Sequence, residues 1–262
     1  MTAISTSAGI GPLLRDWRSR RRLSQMELAL DADVSARHLS FVETGRSNPS
    51  RELVLQLADH LEVPLRERNA LLLAAGYAPA YAERPLGDEA MAPVRGALER
   101  LLKGHEPFPA VAVDRQWELV SANGPALALL TDGIAPELLE PPANTLRISL
   151  HPNGLAPRIA NLAEYSSHLL HLVAREAATT GDPALVALHE ELATYPGVDA
   201  SPRPHDRAQS LFIPLRLTTP AGELTFFSTI ARFGTALDVT VAELAIESFF
   251  PADDKTAAAL RA

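Results

Sequence analysis

Residues 23–51 read LSQMELALDADVSARHLSFVETGRSNPSR, and this stretch decides the fold of the first part of the chain. It predicts two short helices around a tight turn. Ser24 is placed to cap the first helix, and Glu27 three residues later completes a capping box. Asp33 sits in the turn, where aspartate tolerates a left-handed backbone better than most residues do. The apolar side of this helix is assigned to Met26, Leu28, Ala29 and Leu30.

The second predicted helix begins after Ser35, which can act as its N-cap. Leu39 and Val42 face inward, and the helical spacing places a different set on the opposite side. That exposed set is Ala36, Arg37, Ser40 and Phe41. A short helix with one buried stripe and an exposed basic and aromatic face is suited to the major groove of DNA.

The motif LSQ-x-ELA-x(4)-VS-x(3)-LS-x-VE-x-G-x(3)-PS resembles the helix-turn-helix domain of the lambda-repressor and xenobiotic-response-element families. The resemblance covers residues 10–81 and implies an all-α domain of five helices. The helices fit residues 11–21, 25–31, 35–43, 51–61 and 65–75. Arg22 and Asp33 stand where these families commonly carry glycine. The change at Asp33 is mild, whereas the change at Arg22 leaves the exit of the first helix less defined.

The resemblance also implies residue roles. Arg37 matches a base-reading position, where a guanidinium can bind guanine O6 and N7, and Phe41 matches a position that can pack on a thymine methyl. Gln25 and Arg46 match phosphate contacts, and Arg18 with Glu43 matches an internal ion pair. The candidate DNA-binding residues are Gln25, Ser35, Arg37, His38, Ser40, Phe41 and Arg46. Two alternatives stay open: Arg37 as an ordinary surface charge, and Phe41 as a core or subunit contact.

Composition limits the remaining classes. A chain of 262 residues with 47% hydrophobic residues predicts two folded domains. The absence of cysteine excludes disulfides, zinc-thiolate sites and cysteine nucleophiles. No apolar run reaches transmembrane length and no signal peptide opens the sequence, so we expect a cytoplasmic protein without membrane contact. Residues 1–9 are predicted to be a flexible tail.

The net charge of −8 is unevenly distributed. Residues 1–81 carry ten basic and nine acidic side chains, whereas the remainder carries fourteen and twenty-three. The acidic part is expected to face away from DNA because like charges repel phosphate. The weak positive balance predicts modest affinity for one domain, so a homodimer reading two half-sites is expected.

Beyond residue 81, residues 82–104 are predicted to be a connector and linking helix, and residues 105–262 a second domain. Strands are predicted at 109–113, 117–120, 210–218 and 223–233, with a last strand, or alternatively a helix, at 238–250. Helices are predicted at 89–104, from Asn123 to about 131, at 157–179 and at 183–194.

Strand, turn, strand, Ala-Asn and helix in succession resemble the opening of a PAS domain. Three segments are similar in amino-acid sequence to the MmyB-like regulators: FPAVAVDRQWELVSAN (108–123), LHPNGLAPRIANLAEY (150–165) and PLRLTTPAGELTFFSTIARFGTALDVTVAELAIESFFPAD (214–253). This resemblance runs from about residue 82 to residue 262. It implies a transcriptional regulator with an α+β, PAS-like ligand-binding domain and an antiparallel sheet, a fold with which a fatty-acid-like ligand is associated.

A mostly apolar pocket with a few polar groups is expected between the sheet and the helices. The candidate ligand-binding residues are Trp117, Asn123, His151, Asn161, His168, His171, Arg175, Phe212 and Phe226. Simpler roles remain open for several of them. Trp117 and the phenylalanines can be ordinary core, Asn123 can cap the helix that it starts, and His151 can belong to a turn.

Neither an enzyme nor a metal site is predicted. Glu164, His168, His171 and Arg175 share a helix face, which can ligate a metal but more often hydrogen-bonds or meets solvent. His189 starts a HEELA sequence that lacks the second histidine of a zinc protease. The sequence also lacks a glycine-rich phosphate loop and a nucleophile elbow, and no cofactor is expected beyond a small apolar or fatty-acid-like ligand.

Two functions therefore compete. In the first, a homodimer binds a near-palindromic operator on double-stranded DNA, and a small apolar effector in the rear domain modulates it. In the second, the rear domain of the DNA-binding regulator is a dimerisation or protein-interaction module without an effector. The sequence does not separate them, because a packed core and a filled pocket use the same residue types.

Overall fold

The computed structural model describes residues 9–201, 212–220 and 222–261, which form two compact units. The first unit extends to Arg84 and also includes Ala236–Val239, and the second contains the other described residues from Pro85 onward. Apart from Gly9, the predicted tail lies outside the described residues. None of the described helices combines the length and the apolarity needed to cross a bilayer.

The first unit is all-α. Its described residues form five helices: α1 (Ile10–Arg20), α2 (Gln25–Asp31), α3 (Ala36–Glu43), α4 (Arg51–His60) and α5 (Leu65–Ala74). Local sequence signals position them as predicted. Ser24 and Glu27 form a reciprocal capping box, the Ser35 hydroxyl accepts from the His38 N–H at 3.1 Å, and Asp33 has φ 50°.

The core of this unit combines one stripe from each helix, including Leu14, Leu28, Leu39, Leu57 and Leu71. The apolar side predicted for α2 is wrong in part. Leu28 and Ala29 are buried, but the side chains of Met26 and Leu30 are 73% and 80% exposed. The two exposed residues are four positions apart and share the solvent side of a helix that is only seven residues long.

The second unit is α+β. Its helices are α6 (Ala92–Gly104), α7 (Gly124–Thr131), α8 (Thr145–Leu150), α9 (Leu162–Thr180), α10 (Pro183–Leu192), α11 (Val239–Glu243) and α12 (Asp254–Ala259). Its strands are β1 (Ala110–Val113), β2 (Leu119–Ala122), β3 (Leu215–Thr219), β4 (Gly222–Arg232) and β5 (Ala245–Pro251). The predicted fold class, a five-helix domain followed by a PAS-like domain with an antiparallel sheet, is confirmed.

The strands pair in the order β2-β1-β5-β4-β3, and every neighbouring pair is antiparallel. β1 is buried along its whole length because both sheet faces are covered. Val111 and Val113 belong to the larger core. Ala110 and Ala112 point the other way and pack with Leu98 of α6, which follows from the two-residue alternation of a strand.

Several predicted bounds need correction. The second strand begins at Leu119 rather than Trp117, because Trp117 has φ 65° and belongs to the turn. The helix predicted at 157–179 is a short 3-10 turn at Ala156–Arg158 followed by α9. β3 begins at Leu215 within the described residues, and the predicted start at 210–211 lies outside them.

The strand predicted at 238–250 was also wrong in its first half. Val239–Glu243 forms the short helix α11, and only Ala245–Pro251 forms β5. β5 then occupies the centre of the sheet between β1 and β4. The segment after it turns at Asp253, whose carboxylate accepts from the Thr256 N–H at 2.6 Å and so caps α12.

Candidate nucleic-acid interface and ligand cavity

The exposed side of α3 and the loop that follows it bring two guanidinium groups close to one aromatic ring. Cζ of Arg37 lies 5.3 Å from the centre of the Phe41 ring, and Cζ of Arg46 lies 5.8 Å from it. Both arginines are exposed and Phe41 is half-buried. A guanidinium over an aromatic ring is held by the ring quadrupole. Phe41 therefore keeps both cations on one surface.

The other candidate DNA-binding residues surround this group. Ser35 caps α3, and His38 and Ser40 are half-buried on the same helix. The Ser40 carbonyl accepts from the Thr44 hydroxyl at 2.7 Å. Phe41 lies outside the described core cluster of this unit, so the alternative of a core role for its ring has no support in the fold.

A buried carboxylate connects α3 to α1 and α2. Arg18 donates to Glu43 through Nε at 2.7 Å and Nη2 at 2.9 Å, and its Nη1 donates to the Leu23 carbonyl at 2.8 Å. The Gln25 side-chain amide donates to Glu43 Oε2 at 2.8 Å. The Glu43 side chain is completely buried. Its hydrogen bonds to Arg18 and Gln25 therefore connect α3 to both α1 and α2.

The surroundings of Glu43 favour its charge. Burial alone would raise the pKa of this carboxyl, but the hydrogen bonds from Arg18 and Gln25 and the charges of Arg18 and Arg15 outweigh it and lower the pKa. Arg15 Nε lies 3.6 Å from the carboxylate. Sequence reasoning found the Arg18–Glu43 pair but missed the contributions of Gln25 and Arg15. The available signals were the position of Arg15 one turn before Arg18 and the position of Gln25 at the start of α2.

Gly11 allows α1 to approach α3 closely. A Cβ at this position would lie 2.5 Å from the Glu43 carbonyl oxygen and 2.7 Å from that of Val42. These distances are shorter than van der Waals contact, so any larger residue would displace one helix from the other. The position of α3 is therefore fixed by backbone packing as well as by charge.

An apolar cavity lies between the sheet and the helices of the second unit. It opens to solvent, and its lining is mostly aliphatic and aromatic with a few polar groups, a composition typical of small-ligand sites. The lining residues are Pro109, Val111, Ala126, Leu129, Leu130, Thr145, Leu146, Ser149, Leu155, Tyr165, Leu169, Leu215, Leu217, Phe226, Glu247 and Phe249.

Of the predicted ligand-binding residues, Phe226 lines this cavity. Trp117 is buried in the surrounding core, and its indole N–H donates to Glu176 at 2.9 Å. Phe212 is 47% exposed and its ring lies 5.3 Å from that of Phe227. The aromatic residues thus have three different environments, although their sequence contexts looked alike.

Asn123 braces the fold. Its amide nitrogen donates to the carbonyls of Leu102 at 3.1 Å and Phe108 at 2.8 Å. Its amide oxygen accepts from the N–H groups of Ala110 at 3.0 Å and Ala126 at 3.1 Å. All four hydrogen-bonding positions of the side chain are occupied. This is the capping and bracing role that the sequence left open as the simpler alternative.

The polar candidates on loops and on α9 also lie away from the cavity lining. His151 accepts from the Asn153 N–H at 3.1 Å and packs its ring against Tyr195. Asn161 donates to the Pro214 carbonyl at 2.8 Å. His168 is half-buried and His171 is exposed on α9. Over the described residues, no group of three or more His, Asp or Glu side chains is placed to hold a metal.

Arg175 lines a second cleft, in which most of the lining residues are charged or polar. Two other arginines in this cleft are paired with carboxylates. Arg115 contacts Asp182 at 2.5 Å, and Arg232 contacts Glu176 at 2.5 Å. Salt bridges therefore dominate this surface, in contrast to the apolar cavity.

Glu247 is the cavity residue that sequence reasoning missed. It lies on β5, is 8% exposed, and is flanked in register by Val111 of β1 and Ile230 of β4. Burial raises its pKa to about 7, although a hydrogen bond from Ser228 acts in the opposite direction. The available signal was a lone carboxylate at an inward position of the apolar run AIESFF.

Two family models match the chain. Residues 94–262 match the MmyB-like transcription regulator ligand binding domain, and residues 10–71 match a helix-turn-helix domain. These descriptions belong to transcription regulators and not to enzymes.

Two solved structures are also similar. The clp gene regulator ClgR from Corynebacterium glutamicum is 26% identical, over 37% of this chain and 90% of that one, with a TM-score of 0.23. An RNA-binding light-oxygen-voltage receptor is 15% identical, over 96% of this chain and 62% of that one, with a TM-score of 0.29. No curated protein matches the chain.

Proposed function

The chain belongs to the MmyB-like transcription regulators, with a helix-turn-helix DNA-binding domain and a ligand-binding domain, and we propose that it binds a near-palindromic operator as a homodimer. A small apolar effector in the cavity of the second unit modulates this binding. The observation that carries the proposal is the surface group formed by Arg37 and Phe41 on α3 and Arg46 in the loop after it. The buried Glu43 network beneath it holds that helix in place.

The roles within the interface follow from the positions of the side chains. Arg37 reads a guanine through O6 and N7, and Phe41 packs on a neighbouring thymine methyl. Arg46 and Gln25 contact phosphates, while Ser35, His38 and Ser40 complete the surface along α3. Because Glu43 already accepts from the amide nitrogen of Gln25, the amide of Gln25 is oriented before DNA arrives.

The weak positive charge of the first unit supports a dimer on an inverted repeat. Residues 1–81 carry a net charge of only +1, and phosphate contacts supply much of the affinity of a DNA-binding domain. Two copies that read half-sites about one helical turn apart would supply the affinity that one copy lacks. The effector must then bind the DNA-competent and the incompetent dimer with different affinities, since otherwise it shifts no equilibrium.

Selection of genomic fragments by the purified full chain tests this proposal. We expect the selected fragments to share an inverted repeat that Arg37→Ala no longer enriches. Arg100→Ala is the matched control, because Arg100 is exposed on α6 in the other unit. Selection of single, unrepeated half-sites would contradict the dimer.

Extraction of the purified chain then tests the effector: an apolar small molecule carried through purification supports it, whereas an empty cavity in a chain fully active on DNA favours a purely structural second domain.

A further inference from the structure

The described side chains that line the cavity offer a ligand more hydrogen-bond acceptors than donors. Of the described residues that line it, none is lysine, arginine or histidine, and its one acidic side chain is Glu247. The hydroxyl of Thr145 already donates to the Trp117 carbonyl at 3.1 Å, and that of Ser149 donates to the Thr145 carbonyl at 2.8 Å. These hydroxyls therefore offer lone pairs, and not protons, to a ligand.

Glu247 reinforces this pattern. Its carboxyl is buried on the cavity side of β5 and receives a hydrogen bond from the Ser228 hydroxyl of the neighbouring strand. An ionised carboxylate has room for about four such bonds, so acceptor positions remain. Burial, together with the nearby charge of Glu247, raises the pKa of the Tyr165 phenol, and its hydroxyl can donate or accept.

Building on the function proposed above, we propose that the effector is an amphiphile whose polar end donates hydrogen bonds to Glu247, an amine or an alcohol rather than a carboxylate. An apolar tail fills the space lined by Leu130, Leu169 and Phe226. A ligand carboxylate would meet a second carboxylate in an apolar site whose described lining residues include no cation, an arrangement that disfavours ionisation of both. A donor-rich head instead adds hydrogen bonds at the acceptor positions of Glu247 that the Ser228 hydroxyl leaves open.

Binding of three ten-carbon probes to the full chain tests the proposal. Decan-1-ol, decylamine and sodium decanoate share one tail and are titrated separately by calorimetry at pH 8, below the concentrations at which they form micelles. We expect the alcohol and the amine to bind about fivefold or more tightly than decanoate, because leaving a buried polar group unmatched costs about that factor or more. The same titrations with Glu247→Gln are expected to reduce the preference, since the carboxamide is neutral and can donate.

Glu223→Gln is the matched control. Glu223 lies on β4, contacts Arg216 at 2.9 Å and lies outside the cavity lining, so the preference is expected to remain. Decanoate binding as tightly as the other two probes would overturn the head-group inference and leave the apolar effector intact. No binding of any probe would instead remove the effector itself. If Glu247→Gln does not fold, the affinities of the natural chain for the three probes still test which head group the cavity prefers.

Discussion

Glu43 in the first unit and Glu247 in the second are both buried carboxyls, but their neighbours differ. Glu43 accepts from Arg18 and Gln25, and these partners lower its pKa. Glu247 faces an apolar cavity whose described lining residues include no cation, and burial raises its pKa to about 7. The carboxylate of Glu43 is satisfied by charged and amide donors from its own fold. The carboxyl of Glu247 has the Ser228 hydroxyl as a donor and retains acceptor positions, which an external molecule can fill from the cavity.

The largest expected effect is the loss of the partner of Glu43. Arg18→Ala should lower the free energy of unfolding of the first unit by about 3–5 kcal/mol, because it leaves an uncompensated charge in the core. Urea denaturation followed by Trp17 fluorescence in a Trp117→Phe background measures this unit separately. Operator binding should fall in parallel, because α3 loses its attachment to α1.

Arg20→Ala is the control on the same helix. Its salt bridge with Asp16 is exposed, and its guanidinium lies 5.2 Å from the Trp17 ring centre. Its removal should change stability by no more than about 1 kcal/mol. Equal losses from Arg18→Ala and Arg20→Ala would show that burial does not distinguish the two pairs.

The second expected effect is a dependence on pH that belongs to Glu247. A carboxyl with a folded pKa of about 7, above its ordinary value of 4.5, stabilises the fold most below pH 4.5 and less as pH rises through 7. The second unit should therefore lose roughly 2–3 kcal/mol between pH 5 and pH 8 through this group. Glu43, with its lowered pKa, has the opposite sign and stabilises least at low pH.

The measurement is urea denaturation of the natural chain and of Glu247→Gln at both pH values, followed by Trp117 fluorescence in a Trp17→Phe background. Glutamine does not titrate, so the free energy of unfolding of the variant should rise relative to that of the natural chain as pH increases. A constant difference between them across this range would mean that Glu247 ionises normally, and the contrast with Glu43 would disappear.

The third effect concerns recognition rather than stability. Arg37→Ala should weaken binding to the selected operator by about 1–3 kcal/mol and relax one base position, because the bidentate contact with guanine is lost. Titration of the operator and of single-base variants measures both quantities. Unchanged affinity and unchanged base preference would remove Arg37 from the interface and return it to the open alternative of a surface charge.

The smallest expected effect concerns the contact of the Phe41 ring with the guanidinium groups of Arg37 and Arg46. Phe41→Leu keeps an apolar side chain but removes the ring between Arg37 and Arg46, so operator affinity should fall by about 1 kcal/mol. The free energy of unfolding should change little, since Phe41 lies outside the core cluster. A loss of stability without a loss of DNA affinity would instead assign the ring to packing.

The first unit was predictable because its signals are local. Ser24 with Glu27, Ser35 and Asp33 each act within a few residues, so helix bounds followed from the sequence alone. The exposure of Met26 and Leu30 did not, because a seven-residue helix between two others buries only one narrow side.

The second unit was predictable in its elements but not in its cavity. The walls come from β1, α7, α8, α9 and three later strands, and only tertiary packing decides which side chains meet. Asn161 and His151, chosen as polar candidates, are used by nearby backbone groups. Glu247 was overlooked because alternation along β5 could not be assigned before α11 was separated from it.

Asn123 has a consequence for the chemical ageing of the protein. It precedes Gly124, and asparagine followed by glycine readily loses its side-chain ammonia when the next backbone nitrogen attacks the carboxamide. In the folded chain that carboxamide is held by four hydrogen bonds at the start of α7, which opposes the rotation that attack requires. Conversion to aspartate would place an oxygen against the carbonyls of Leu102 and Phe108. Molecules that unfold during storage are therefore the ones expected to be altered here, and each altered molecule would refold with a defect at the junction of α6, β1 and α7.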